Sequence, residues 1–147
     1  MLGDLRRAGF KMTPQRTAIV QQFAIDESHP TAQALFERLR PSFPSMSFAT
    51  VYNTLDALAR AGLSSTLRLG TAARFDPNTS PHHHAVCEIC GAIADVPFAH
   101  AERTPGVTDG GEAAVAAVSP GFTVRTVERI YRGACASCAS DHNTGRR

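Results

Sequence analysis

The sequence predicts an α+β chain of two small domains: an N-terminal winged helix-turn-helix and a second domain stapled by a metal. Three observations carry that prediction. Capped amphipathic segments run through the first 60 residues and end in a short hairpin pattern. Two Cys-x2-Cys pairs, separated by 44 residues, fall in the second half. Between the halves lies Asp76-Pro77-Asn78-Thr79-Ser80-Pro81, a turn-rich stretch that reads as a hinge. The expected boundaries are residues 1–77 for the winged helix, 78–81 for the hinge and 82–147 for the metal-binding domain.

In chain order, Thr13 is an N-cap with Pro14 at the first helical position, and Ile19, Val20 and Phe23 give that helix an apolar face. The segment before Gly9 leaves room for only an abbreviated leading helix. Thr31 caps a second long helix with Leu35, Phe36 and Leu39 inward, and Pro41 and Pro44 interrupt the chain after it. Ser47 caps a third, in which Val51, Leu55 and Leu58 recur at helical spacing, and Gly62 stops it. Leu63 to Leu69 and Ala73 to Phe75 then suggest two short strands around Gly70.

This is the element order of a winged helix-turn-helix, in which one helix fits the major groove while its neighbours hold it against the backbone. The exposed face of the third helix carries Ser47, Thr50, Tyr52, Asn53 and Asp56. Tyr52 suits a thymine methyl, and Asn53 suits a base edge or a phosphate. Lys11 and Arg16 suit phosphates or the minor groove. The same pattern also fits an ordinary polar surface helix, since many helical domains share it.

Composition narrows the class. With 43% hydrophobic and 19% charged residues, the 147-residue chain is expected to fold rather than remain disordered. It has no apolar run of 18 residues, which excludes a transmembrane helix. Asp4, Arg6 and Arg7 near the N-terminus argue against a signal peptide, so a cytoplasmic location is expected. The net charge of +2 rules out a histone-like polycation. It is unevenly spread, with nine basic against six acidic residues in 1–80 and six against seven in 81–147.

Cys87, Cys90, Cys135 and Cys138 match a structural zinc site of four thiolates. A two-residue spacer lets both sulfurs of a pair face one ion, and Gly91 supports the tight turn. Disulfides are disfavoured without a secretion signal. A redox pair, or a rubredoxin-like iron or iron–sulfur site, is the remaining alternative. A closed four-thiolate site would tie the C-terminal segment to the strand near residue 87 and staple a domain with a small core.

His82-His83-His84 stands just before the first cysteine pair. In an extended segment His82 and His84 point one way and His83 the other, so two imidazoles form half a metal site. Asp76 lies upstream and Asp95 downstream, and His29 precedes Pro30 in a loop of the first domain. Nitrogens mixed with carboxylates suit Fe(II), Mn(II) or Zn(II) rather than a soft ion. Spacing alone singles out only His82 and His84. His29 and the two aspartates individually read as loop and turn residues, and His100 and His142 as ordinary polar positions.

The segments Met12-Thr-Pro-Gln-Arg16, His29-Pro-Thr-Ala32, Ala49-Thr-Val-Tyr-Asn-Thr-Leu55, Arg74-Phe-Asp76 and His82-His-His-Ala-Val-Cys-Glu-Ile-Cys-Gly91, with Asp95 and Cys135-x2-Cys138, resemble the ferric uptake regulator family of metal-dependent repressors. The resemblance covers about Gly9 to Cys138. It implies a homodimer binding a palindromic operator in double-stranded DNA, with an N-terminal winged helix and a C-terminal αβ dimerisation domain. Per protomer it implies one structural Zn(II) on the four cysteines and one regulatory Fe(II) or Mn(II) on His29, Asp76, His82, His84 and Asp95. Two features resemble the peroxide-sensing branch: Asp rather than Glu at position 95, and no histidine in the expected strand Phe122 to Tyr131, which leaves His83 without a partner. In that branch hydrogen peroxide oxidises a ligand histidine at the bound iron, and here the candidates are His29 and His82. Residues 97–120 depart from the pattern, with a short helix expected from Glu112 to Val118.

The resemblance thus implies a peroxide-sensing repressor, or an iron- or manganese-responsive uptake repressor of the same family. Neither is an enzyme, since the histidine oxidation is self-modification. A hydrolase or oxygenase using the histidine–aspartate set is the competing class. Against it, five protein ligands leave little open coordination, and no general base is evident beyond them. A zinc-buffering protein leaves the winged-helix half unexplained.

Overall fold

The computed structural model describes residues 1–70, 72–98, 115, 117, 119–125 and 127–144. The chain divides into two compact units, Met1–Thr79 and Ser80–Arg147.

The first unit runs α1 (Leu2–Arg7), α2 (Pro14–Ala24), α3 (Ala32–Leu39) and α4 (Phe48–Arg60), followed by the antiparallel pair β1 (Ser65–Leu67) and β2 (Arg74–Asp76). Thr13, Thr31 and Ser47 side chains accept the amides of Arg16, Ala34 and Thr50, so each long helix starts at its expected cap. Gly62, at φ +68°, turns the chain out of α4 in a conformation that a Cβ would strain. The helices enclose Leu5, Ile19, Val20, Phe23, Leu35, Val51, Leu55 and Leu58, all at most 1% exposed. Each such burial contributes about 1.5–3 kcal/mol. β2 closes the unit from the side, with Phe75 buried and its amide donating to the Pro30 carbonyl at 3.0 Å.

Phe36 differs from the expectation. It is half-buried and stands edge-on to Phe48, ring centroids 6.1 Å apart. Leu35 and Leu39, four residues apart, occupy the core side of the short α3, and Phe36 lies about 100° further round the helix.

In the second unit, β3 (His83–Cys87) is the central strand of three. It runs antiparallel to β4 (Ile93–Val96), with His84 opposite Asp95, and parallel to β5 (Ile130–Gly133), with Cys87 opposite Gly133. α5 (Ala136–Thr144) follows β5. A strand expected over Phe122 to Tyr131 begins only at Ile130, and the preceding residues join the sheet through single bonds such as His84 N–H to the Arg129 carbonyl, 3.0 Å. Phe122 is 60% exposed, while Val124 and Val127 are half-buried. The helix expected over 112–118 lies almost entirely outside the described residues, as does His100. Among the described residues no helix is long and apolar enough to cross a membrane.

Candidate functional site

The four cysteines converge within the second unit. Cys87 ends β3, Cys90 follows across a turn held by Gly91 N–H to the Cys87 carbonyl (2.9 Å), and Cys135 and Cys138 flank the start of α5. Gly91 has φ +71°, which allows that turn without strain. All four sulfurs lie within 4.8 Å of one another, and Cys90 Sγ is 3.8 Å from Cys135 Sγ. Thiolates about 2.3 Å from a tetrahedral ion are about 3.8 Å apart, so the spacing fits zinc.

The local electrostatics also fit a cation. Amides of Cys90, Cys135 and Ile89 lower the Cys87 thiol to about 6. The Ser137 hydroxyl, 3.1 Å from the Cys135 sulfur, leads the effects that lower Cys135. Cys138 is pushed up to about 12, chiefly by the Cys135 and Cys90 sulfurs. The fold therefore favours thiolates that their own mutual repulsion opposes, and a divalent ion resolves the conflict.

In the first unit His29 and Asp76 meet although 47 positions apart in sequence. His29 is 2% exposed, at φ +51°, and its Nε2 lies 3.8 Å from Asp76 Oδ1. Its carbonyl accepts from Arg74 at 3.2 Å, and Thr31 bridges to Arg74, so the wing strand holds the loop. Asp76 is 1% exposed and accepts from the Asn78 amide at 2.8 Å and the Ser65 hydroxyl at 3.4 Å. It is thus a buried strand-end residue rather than a turn residue, and Asp95 likewise sits within β4.

In the second unit His82 Nε2 is 2.9 Å from His84 Nε2 and 3.5 Å from Asp95 Oδ1. Two nitrogens bound at about 2.1 Å and at right angles to each other are about 3.0 Å apart, so the histidine pair is spaced to share an ion. The Nδ1 atoms face acceptors: Ser80 carbonyl for His82 (2.6 Å), Glu128 carboxylate for His84 (2.9 Å), and in the first unit Glu27 carbonyl for His29 (3.1 Å). Glu128 is a residue the sequence did not reveal. It lies 44 positions from His84 in the stretch expected to form a strand, where nothing local marks it as a partner of a histidine.

His83, expected to be left over, is engaged. Its Nδ1 accepts the Arg129 amide at 3.2 Å, and its ring packs against Phe98 and Tyr131. It is a buried sheet residue on the opposite face from His82 and His84, as strand alternation requires.

On α4, Tyr52 and Asn53 are exposed, with Tyr52 at 47%. Phe48, which the sequence reading passed over, is 43% exposed and lies one turn before Tyr52, rings 6.3 Å apart. The Ser47 and Thr50 hydroxyls bond each other at 2.9 Å within the cap, and Asp56 pairs with Arg60. Lys11 is exposed, whereas Arg16 gives an N–H to the Lys11 carbonyl at 2.5 Å and lies over the Phe10 ring. The exposed side chains near the start of α4 thus include Phe48, Tyr52 and Asn53.

Comparison with known proteins adds the following. The ferric uptake regulator family model matches residues 7–107. The peroxide operon regulator of Bacillus subtilis is 38% identical over 143 residues, 97% of this chain and 93% of its own length. The peroxide-responsive repressor PerR of Staphylococcus epidermidis is 43% identical over 95 residues, 64% of this chain and 63% of its own. Among solved structures, the ferric uptake regulator of Francisella tularensis with iron is similar at a TM-score of 0.71 and 23% identity, over 89% of this chain and 96% of that one. PerR from Streptococcus pyogenes is similar at a TM-score of 0.50 and 32% identity, over 93% and 89%.

Proposed function

Since this chain belongs to the ferric uptake regulator family, we propose that it is a metal-dependent transcriptional repressor that senses hydrogen peroxide. The observation that carries the reading is the donor set of His82, His84 and Asp95, with the two imidazole Nε2 atoms 2.9 Å apart and Asp95 Oδ1 3.5 Å from that of His82. Similarity to peroxide regulators over nearly the whole chain supports the peroxide assignment.

In this reading the first unit is the DNA-binding winged helix, and the second forms the homodimer and holds the structural zinc. His29 and Asp76 share one regulatory Fe(II) or Mn(II) with His82, His84 and Asp95. Only five residues separate Asp76 from His82, so the connecting chain spans about 20 Å at most, which keeps the two donor sets within reach. Without a cation the two aspartates repel each other. By sharing one, the donor sets hold the two units in a single arrangement that suits half-sites about 34 Å apart. The ion shifts the population only to the extent that it binds this arrangement better than the alternatives, and a change from 1:99 to 99:1 needs about a 10⁴-fold preference.

Fe(II) held by these residues would activate hydrogen peroxide at the site; overall, the ring of His29 or His82 would supply the two electrons, one peroxide oxygen would be added to a ring carbon and the other would leave as water. The oxidised ring is a poorer ligand, so the metal would be released and repression would end. Lys11 contacts the DNA backbone, and Tyr52 and Asn53 read bases, with Ser47, Thr50 and Arg16 supporting them. The protein modifies itself and turns over no substrate, in keeping with a cytoplasmic regulator rather than an enzyme. The test is a gel shift on operator DNA selected from genomic fragments. Mn(II) is expected to support binding that peroxide does not reverse, and Fe(II) to support binding that peroxide abolishes. Metal-independent binding would overturn the reading. Iron- or manganese-responsive uptake control is the second reading. It requires peroxide-insensitive repression with either metal, and Asp95 disfavours it.

A further inference from the structure

We propose that Glu128 is a positioning residue of the regulatory metal site, which fixes His84 in the tautomer that offers Nε2 to the ion. The inference rests on the regulatory reading above. Glu128 Oε1 lies 2.9 Å from His84 Nδ1. A carboxylate can only accept there, so the proton sits on Nδ1, and in the neutral ring this leaves the lone pair on Nε2. That Nε2 is the atom 2.9 Å from His82 Nε2.

The three candidate histidine ligands follow one rule by different means. The His29 and His82 Nδ1 atoms face the backbone carbonyls of Glu27 and Ser80, whereas the His84 Nδ1 faces a side chain. Glu128 is thus a member of this outer set that substitution can remove. The backbone of the next residue is anchored twice: Arg129 N–H donates to His83 Nδ1 at 3.2 Å, and the Arg129 carbonyl accepts His84 N–H at 3.0 Å. The carboxylate itself is 44% exposed, so the core of the unit does not depend on it. An outer carboxylate on a ligating imidazole holds its ring plane and strengthens it as a donor, and its loss typically weakens metal binding 10–100-fold.

The experiment compares the full-length wild type with Glu128→Ala, Glu128→Gln and Glu128→Asp, all loaded with zinc. Mn(II) titration is expected to show a loss of about 10–100-fold for Glu128→Ala. Glu128→Gln, which keeps an acceptor without the charge, should fall between it and wild type, and Glu128→Asp should recover part of the affinity. Nitrogen-15 spectra of histidine-labelled, Mn-free protein should show His84 protonated at Nδ1 in wild type and as a tautomer mixture in Glu128→Ala. A purely structural role would alter thermal unfolding without this tautomer signature. If wild type binds Mn(II) and Glu128→Ala binds it equally tightly with an unchanged His84 spectrum, the proposal falls alone. If wild type takes up no Mn(II), the regulatory reading falls and the proposal with it.

Discussion

His29 occupies a left-handed backbone conformation that costs most side chains energy, and its neighbours supply what holds it there. Asp26 Oδ1 accepts the Ser28 amide (2.9 Å) and hydroxyl (2.5 Å), while Oδ2 pairs with Arg38 at 2.6 Å. Burial acts to raise the Asp26 carboxyl, but the Ser28 bonds and Arg38 outweigh it and leave it below 3.8. A carboxyl lowered in the folded state stabilises it above the unfolded value, near 3.9, and that contribution disappears as pH falls through the folded value. Asp26→Asn should therefore lower the urea midpoint of the first unit at pH 7, with the gap to wild type closing below about pH 4; a gap that persists in acid would contradict this. At the metal ligands, peroxide treatment of the Fe(II)-loaded protein should add one oxygen to the peptides holding His29 or His82, measured by mass spectrometry, and none to the Mn(II)-loaded protein. Asp95→Glu should retain Mn(II)-dependent DNA binding while reducing that oxidation. An unchanged oxygen yield would remove Asp95 from the sensing argument.

At the level of elements, α4 joins a cap, a core face and a reading face. Ser47→Ala removes the acceptor for the Thr50 amide and should cost about 1 kcal/mol, read from denaturant unfolding. Leu55→Ala, at a position 0% exposed, should cost about 2–5 kcal/mol. On the outer face, the Phe36 ring backs Phe48, which stands beside Tyr52. Aromatic rings held this way suit thymine methyls, so replacing operator thymines by uracil should weaken wild-type binding. The same replacement should weaken Tyr52→Ala or Phe48→Ala less, as a gel-shift series would show. The helices of the first unit were legible because caps and 3.6-residue periodicity are local signals. Phe36 packs at the margin of the core rather than inside it, because an eight-residue helix has room for one narrow core stripe, and which side chain fills it depends on what packs opposite. The strand expected from Phe122 shrank to Ile130–Gly133 because its length depends on pairing with β3, which local alternation does not encode.

For the whole molecule, the buried hydrophobics among the described residues of the second unit are Val86, Cys87 and Ile93 in its sheet. The four-cysteine site joins the end of β3 to the segment after β5. Removal of zinc by a strong chelator, or Cys138→Ser, should therefore melt the second unit while leaving the helical signal of the first, followed by circular dichroism. Loss of both together would mean that the units do not fold independently. By itself the sequence determined the family, the α+β class, the cap of each long helix and which four cysteines cluster. These rest on local periodicity and short motifs whose chemistry permits few alternatives. The tertiary structure alone decided that the wing strand holds His29 near Asp76, that His83 belongs to the sheet, and that a glutamate 44 positions away meets His84 Nδ1. Those contacts join residues far apart in the chain, and the packing and hydrogen bonding of whole elements set them rather than any pattern within a single segment.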